Sequence, residues 1–348
     1  MATQARARGM GITAGEMAPG PLNKISDVPG VLVGHATVDT DTNKTGVTVV
    51  VPSPENVFLH KMTAAAHVWN GFGKSLGLVQ VKELGTLETP IALTNTLNVG
   101  LVHDALVQHA IDTCHREGYE VRSVNPVVCE CNDASLNNIQ YRAVAGEHVF
   151  AAIQSACRDF AEGDVGGGKG MVCYGFKGGI GSASRVMALN GETYTLGVLV
   201  QANYGRTGDL VVNGRPVGKE VPEGWGAAKD LGSIIVILAT DLPVDARQLQ
   251  RIIKRAGMGM ARLGSILGHG SGEIAVGFTT ANRVHHLEEH IFLEQRVMRE
   301  DLLDIPFRAA AESCEEAILN ALLCADAVTG YRGARKGSLR EWLAEHPL

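Results

Sequence analysis

Long apolar runs are missing from these 348 residues: none reaches the roughly 18–20 residues that a membrane-spanning helix needs. A surplus of positive charge is missing too. Acids and bases are mixed along the chain, the net charge is −6, and no basic stripe offers a nucleic acid a footprint. Paired cysteine motifs are absent. The seven cysteines include Cys129-Glu130-Cys131, which is C-x-C rather than C-x-x-C, and no second pair stands at zinc spacing. An odd count, with no apolar stretch after Arg6 and Arg8 to suggest a secretory signal, predicts reduced, buried thiols in a cytoplasmic protein. No histidine stands in an obvious Ser-His-Asp pattern. A serine nucleophile would therefore need another base.

What is present is apolar and rich in glycine. An apolar content of 45% over this length predicts a large core in more than one layer, and 42 glycines predict tight turns and close backbone contacts. Residues 1–22 are rich in Gly, Pro and Ala and read as a loose arm. Short apolar runs predict strands at 47–51, 90–94, 121–128, 171–174, 196–202, 234–239 and 273–279. Helical spacing predicts helices over 99–117 and 149–160, and one long helix from Pro243 and Asp245 to about Leu267. Gly257 and Gly259 within it imply that another backbone comes close. Asp304 is expected to cap a further helix from Pro306 to Ala325. The mixture predicts α/β layers around one core in a single domain over 1–348, without repeats.

Two motifs suggest chemistry that simpler readings explain. Gly163 to Gly170 nearly fits the phosphate-binding pattern G-x-x-x-x-G-K-[ST], but a glycine replaces the hydroxyl that holds Mg²⁺, and a structural glycine loop accounts for it. His286-Leu-Glu-Glu289-His290 matches H-x-x-E-H, for which Glu312, Glu315 or Glu316 would have to be the third zinc ligand; a charged, solvated helix face is the simpler account.

Ser233 is different in its setting. Residues 206–232 are polar and aperiodic, with Pro216, Pro222 and several glycines, and then Gly232-Ser233 opens directly into a run buried on both faces. Residue type alone makes Ser233 a turn residue. Ser271 and Glu273, two apart at the head of another strand, would share a face and could orient a neighbouring amine or hydroxyl; equally, Ser271 caps a turn and Glu273 is exposed.

Taken with stretches spread over almost the whole chain, these segments resemble the DmpA/BapA family of self-processing aminopeptidases. The family comprises L-aminopeptidase/D-Ala-esterase/amidases and β-peptidyl aminopeptidases. The matching stretches include Gly20-Pro21-Leu22-Asn23, Leu93-Thr94-Asn95-Thr96, Lys177-Gly178-Gly179-Ile180-Gly181, Gln201-Ala202-Asn203-Tyr204-Gly205, Gly232-Ser233 through Asp241, and Gly270 through Ile274. The resemblance implies a four-layer α-β-β-α sandwich shared with ornithine acetyltransferase, and cleavage between Gly232 and Ser233 into chains 1–232 and 233–348. It implies Ser233 as nucleophile, Ser271 and Glu273 as its support, Asn203 as an oxyanion donor, and a tetramer of processed heterodimers without metal or organic cofactor. Physical chemistry agrees with these roles: an N-terminal serine carries its own base, an α-amine of pKa about 7.7–8.0, and the aperiodic linker would supply a freely moving new C-terminus. Glu130 is kept, to pair with the free amine of a small peptide, amide or ester substrate. Asn132 stands where relatives carry tyrosine, and Lys74 where they tend to carry an acid. An acyl transferase or a non-catalytic scaffold of the same fold are the alternatives.

Overall fold

Strand alternation decides the architecture. Along Ser233–Thr240, Ile234, Val236 and Leu238 enter one apolar cluster while Ile235, Ile237 and Ala239 enter another. A strand that feeds two cores lies inside a sheet covered on both faces. The computed structural model describes residues 5–222 and 232–348. In chain order its strands are β1 (Leu32–Asp39), β2 (Lys44–Val51), β3 (His60–Gly71), β4 (Thr86–Leu87), β5 (Ile91–Asn95), β6 (Val127–Cys131), β7 (Val172–Cys173), β8 (Phe176–Lys177), β9 (Gly179–Leu189), β10 (Glu192–Asn203), β11 (Ser233–Thr240), β12 (Gly272–His285), β13 (Val328–Thr329) and β14 (Arg335–Lys336). One sheet runs β1-β2-β5-β6 and a larger one β4-β3-β12-β11-β10-β9; β7 and β8 form a small ribbon.

The helices are α1 (Leu78–Leu84), α2 (Val99–Arg116), α3 (Gly146–Gln154), α4 (Ala246–Ile253), α5 (Ala256–Arg262), α6 (Asp304–Leu323) and α7 (Leu339–Glu345). Val47, Val49, Ala92 and Val128 of the smaller sheet pack outward on Val102 and Leu106 of α2 and Val149 of α3. Its other face, through Ile91, Leu93, Val127 and Cys129, meets Leu199, Ile235, Ile237 and Val276 of the larger sheet. Beyond that sheet, Val198, Val236 and Leu238 pack on α4, α5 and α6. The order is therefore helix, sheet, sheet, helix, the expected four-layer sandwich. No helix among the described residues is long and apolar enough to cross a membrane.

Several expectations are corrected. Residues 5–22 are tied down rather than loose: Arg6 donates to the carbonyls of Leu22, Asn23 and Ser182, and Arg8 pairs with Glu316 of α6. The helix expected over 243–267 divides into α4 and α5, because its halves serve different partners. Asp245 does cap α4, accepting from the Gln248 N–H, whereas Gly259 of α5 admits the backbone of α6, where a Cβ would lie 2.6 Å from the Ala311 carbonyl. Asp304 sits inside α6 with no side-chain cap. The strand expected from Val121 begins only at Val127, and the helix expected to Phe160 ends at Gln154. Of the linker, residues 206–222 are pinned by two short 3-10 turns and by buried Leu210, Val212 and Val217; residues 223–231 lie outside the described residues.

Candidate active site

Ser233 is the first residue of β11, and the sheet register fixes its neighbours. It pairs with Asn203, the last residue of β10, on one side and with Gly272, the first of β12, on the other. All three share the face that looks toward the smaller sheet, since Gln201 and Ile235 keep the same alternation. The Ser233 hydroxyl donates to the Gly232 carbonyl at 2.8 Å and accepts from the Gly272 N–H at 3.3 Å. That same N–H lies 3.3 Å from the Gly232 oxygen. Gly232 has to be glycine here: a Cβ would stand 1.6 Å from the Asn203 carbonyl oxygen.

Asn203 is held at both ends of its amide. Its Oδ1 accepts from the Val172 N–H at 2.8 Å, and its Nδ2 donates to the Asn132 carbonyl at 2.9 Å. One N–H of the amide remains to be used. Cys131, next to Asn132, donates its thiol to the carbonyls of Ser233 and Gln201 at 3.4 Å. Burial pushes that thiol's pKa well up, so it backs the strand end as a neutral group. The Asn132 side chain turns away from Ser233: its Oδ1 accepts from the Ala134 N–H, and the residue is exposed. Its main chain, not its amide, touches the site.

Ser271 and Glu273 are both fully buried, which excludes the exposed-carboxylate alternative. Ser271 precedes β12 in a turn, and its hydroxyl makes no hydrogen bond, to Glu273 or to any other described residue. Glu273 pairs with Ile234, so alternation puts its side chain on the helix-facing side of the sheet, opposite the Ser233 hydroxyl. Sequence reasoning gave no role to Asn70. Its amide donates to the carbonyls of Gly268, at 3.0 Å, of His269, at 3.1 Å, and of Ser271, clamping the turn that leads into β12. The Asn-Gly pair at the end of a strand was the available signal.

Glu130 is buried behind the loop that follows β3. Its carboxylate accepts from the Lys74 N–H at 2.9 Å and from the Thr96 hydroxyl. Gly73 lies between it and Ile274, and the Phe72 carbonyl beside Gly73 abuts Gly272. Glu130 is thus one loop away from the serine. The Lys74 ammonium sits over the Phe72 ring, 4.9 Å from its centre.

Other candidates fall away. The glycine stretch 163–170 is folded into the sheet interface, and Lys169 is engaged by Asp39 and Asp164. Residues 286–290 leave β12 as a turn rather than a helix, with His286 taken up by the Tyr119 hydroxyl and the Phe58 ring. Among the described residues no cluster of three or more metal-ligating side chains is arranged to hold an ion. Burial holds His35 near a pKa of about 4, its ring nitrogens bonded to Thr48 and the Ala161 carbonyl. A cavity of about 350 Å³ lined by Phe58, Glu88, His109 and Arg116 includes none of the residues around Ser233. No histidine hydrogen-bonds to Ser233 among the described residues.

Comparison with known proteins adds to this geometry. The profile of peptidase family S58 matches residues 23–336. The chain is 40% identical over 357 residues to the protein Beta-peptidyl aminopeptidase BapA of Sphingosinicella microcystinivorans, spanning 94% of this chain and 88% of that protein. The structure of the PH0078 protein from Pyrococcus horikoshii OT3 superposes with a TM-score of 0.92 at 44% identity, over 97% of this chain and 98% of that one. The L-aminopeptidase D-Ala-esterase/amidase from Ochrobactrum anthropi, a variant of the Ntn hydrolase fold, superposes with a TM-score of 0.91 at 34% identity, over 99% of both chains.

Proposed function

The chain belongs to peptidase family S58 and is an aminopeptidase; from that premise we propose that it cleaves itself between Gly232 and Ser233 and then works with Ser233 as an N-terminal nucleophile. The observation that carries this reading is the 2.8 Å contact between the Ser233 hydroxyl and the Gly232 carbonyl oxygen at the mouth of the two sheets. The hydroxyl oxygen adds to the Gly232 carbonyl carbon, and the Gly272 N–H faces the oxyanion that forms. The C–N bond to Ser233 then breaks, its nitrogen takes the hydroxyl proton, and water opens the resulting ester. Two chains, 1–232 and 233–348, result.

The freed α-amine is the base that no histidine supplies, and its pKa of about 7.7–8.0 suits work near neutral pH. It takes the Ser233 proton as the oxygen attacks a substrate carbonyl. The spare N–H of Asn203 stabilises the oxyanion, a contribution worth about 10²–10³ in rate for such donors. The proton passes to the departing amine, and water hydrolyses the acyl-enzyme. Ser271, a buried hydroxyl without a hydrogen bond among the described residues, and Glu273, on the helix-facing side, would orient the new amine, a main-chain atom in the plane of the sheet. Glu130 anchors the substrate's ammonium group, with the Asn132 loop forming the opposite wall.

The substrates are short peptides, amides or esters with a free N-terminus. Exposed Leu287, Ile291 and Phe292 between β12 and α6 give the processed subunits an apolar surface to bury in a tetramer. Denaturing gels of purified protein should show two bands, and a Ser233→Ala chain should stay whole and inactive; cleavage persisting in that variant would end the proposal. A panel of L-alanyl, D-alanyl and β-alanyl p-nitroanilides reads the substrate class. No acetyl transfer from acetylornithine to glutamate is expected.

A further inference from the structure

Lys177, at the end of β8, is fully buried. Its side-chain nitrogen donates to three carbonyls: Gly168 at 2.9 Å, Met171 at 2.9 Å and Gly178 at 2.7 Å. Burial pulls its pKa down to about 7, while Asp164 pulls the other way. The three acceptors favour the charged form, because an ammonium has three N–H bonds to give and a neutral amine only two. The glycine stretch that imitates a phosphate loop thus helps to wrap a cation of the protein's own.

One of those carbonyls leads to the active site. The Met171 C=O and the Val172 N–H are two ends of a single peptide group. The oxygen accepts from Lys177, and the N–H donates to Asn203 Oδ1 at 2.8 Å. A positive charge on a peptide oxygen makes the N–H of that peptide a stronger donor, and hydrogen bonds in such a chain reinforce one another. Polarising Asn203 Oδ1 in turn strengthens the N–H bonds of its Nδ2.

We propose that Lys177 is a positioning residue for catalysis, acting through the Met171–Val172 peptide to fix and polarise the Asn203 amide that receives the substrate oxyanion. The proposal rests on Asn203 being that donor. The oxyanion of self-cleavage forms at Gly232 instead, beside the Gly272 N–H, so Lys177 variants should still be processed, and the processed fraction of every variant, Asn203→Ala included, is read on a denaturing gel. Their turnover can be referred to processed chain.

The test is a double-mutant cycle on the p-nitroanilide that the wild type hydrolyses fastest. Lys177→Met is expected to lower kcat about tenfold with KM changed by less than about twofold, the pattern of a lost transition-state interaction. Lys177→Gln, which keeps donors without charge, should fall between. In an Asn203→Ala background, Lys177→Met should have no further effect beyond about twofold. The same drop in that background, or a drop carried by KM, overturns the relay and leaves the Asn203 role standing. An unchanged kcat in Asn203→Ala alone overturns the donor role and the relay together. Should the lysine variants not fold, nitrogen-15 NMR of labelled lysine in the wild-type enzyme decides: an ammonium is expected at about pH 6, below the value of about 7 to which burial brings the group, and a neutral amine there overturns the proposal.

Discussion

The Ser233 hydroxyl oxygen lies 2.8 Å from the carbonyl oxygen of Gly232, with Gly232 itself pressed against the backbone of Asn203. The space for residue 232 is set by a main-chain atom that cannot swing aside. Gly232→Ala should therefore push the carbonyl out of line with the hydroxyl. The expected result is a chain that stays largely uncut, seen as one band on a denaturing gel, with aminopeptidase activity lost in proportion to the uncut fraction.

Asn70 should matter through charge as much as through contact. Asn70→Ala removes the donors that hold three carbonyls of the turn before β12, at a cost of about 1–2 kcal/mol. Asn70→Asp aims a carboxylate at the same three oxygens and should be worse, in both melting temperature and kcat. An Asp variant more active than the Ala variant would contradict the clamp.

Burial raises the Asp133 carboxyl from 3.8 to about 6, against hydrogen bonds from Thr45, Asn137 and Asn95. The folded protein then holds this proton more tightly than the unfolded chain. The contribution to stability is full below about pH 3.8 and is lost as pH rises through about 6, a change of about 3 kcal/mol at about 1.4 kcal/mol per pH unit. Asp133→Asn should flatten the dependence of the urea midpoint between about pH 4 and 6.

Arg185 is wholly buried and pairs with Glu312 at 3.2 Å and Glu316 at 2.8 Å, while Glu316 also accepts from Arg8 and Asn23. Arg185→Met removes the buried cation that Glu312 and Glu316 share and leaves Glu316 with Arg8 as its remaining one. A loss of about 3–5 kcal/mol is expected in chemical denaturation. Because the same carboxylates tether residues 5–22, limited proteolysis should cut there first in the variant.

Much of this molecule could be read from its residues, and the failures share a cause. The run Ile234–Ala239 announces a strand buried on both faces, and it is one. β3, with Ala64, Ala65 and Ala66 at its middle, and β9, which opens Gly179-Ile180-Gly181-Ser182, are poor in the β-branched residues that mark strands. Their small side chains answer to tertiary packing: a Cβ on Gly181 would lie 2.0 Å from the Ala317 carbonyl of α6. Ser233, Asn203 and Gly232 stood out through the family resemblance rather than through residue type, and the strand register sets the three side by side. The roles of Asn70 and Lys177 were not legible, because their work is done on backbone carbonyls, which leave no trace in residue type.

The strand order β4-β3-β12-β11-β10-β9 sets the two strands that follow residue 232 between strands that precede it. A protein cut at that bond would be held together by a sheet woven from both pieces. It would fold once as a single molecule, in a unimolecular step. After denaturation it would have to find its other half by diffusion, so recovery of the native state should become second order in protein and fail on dilution.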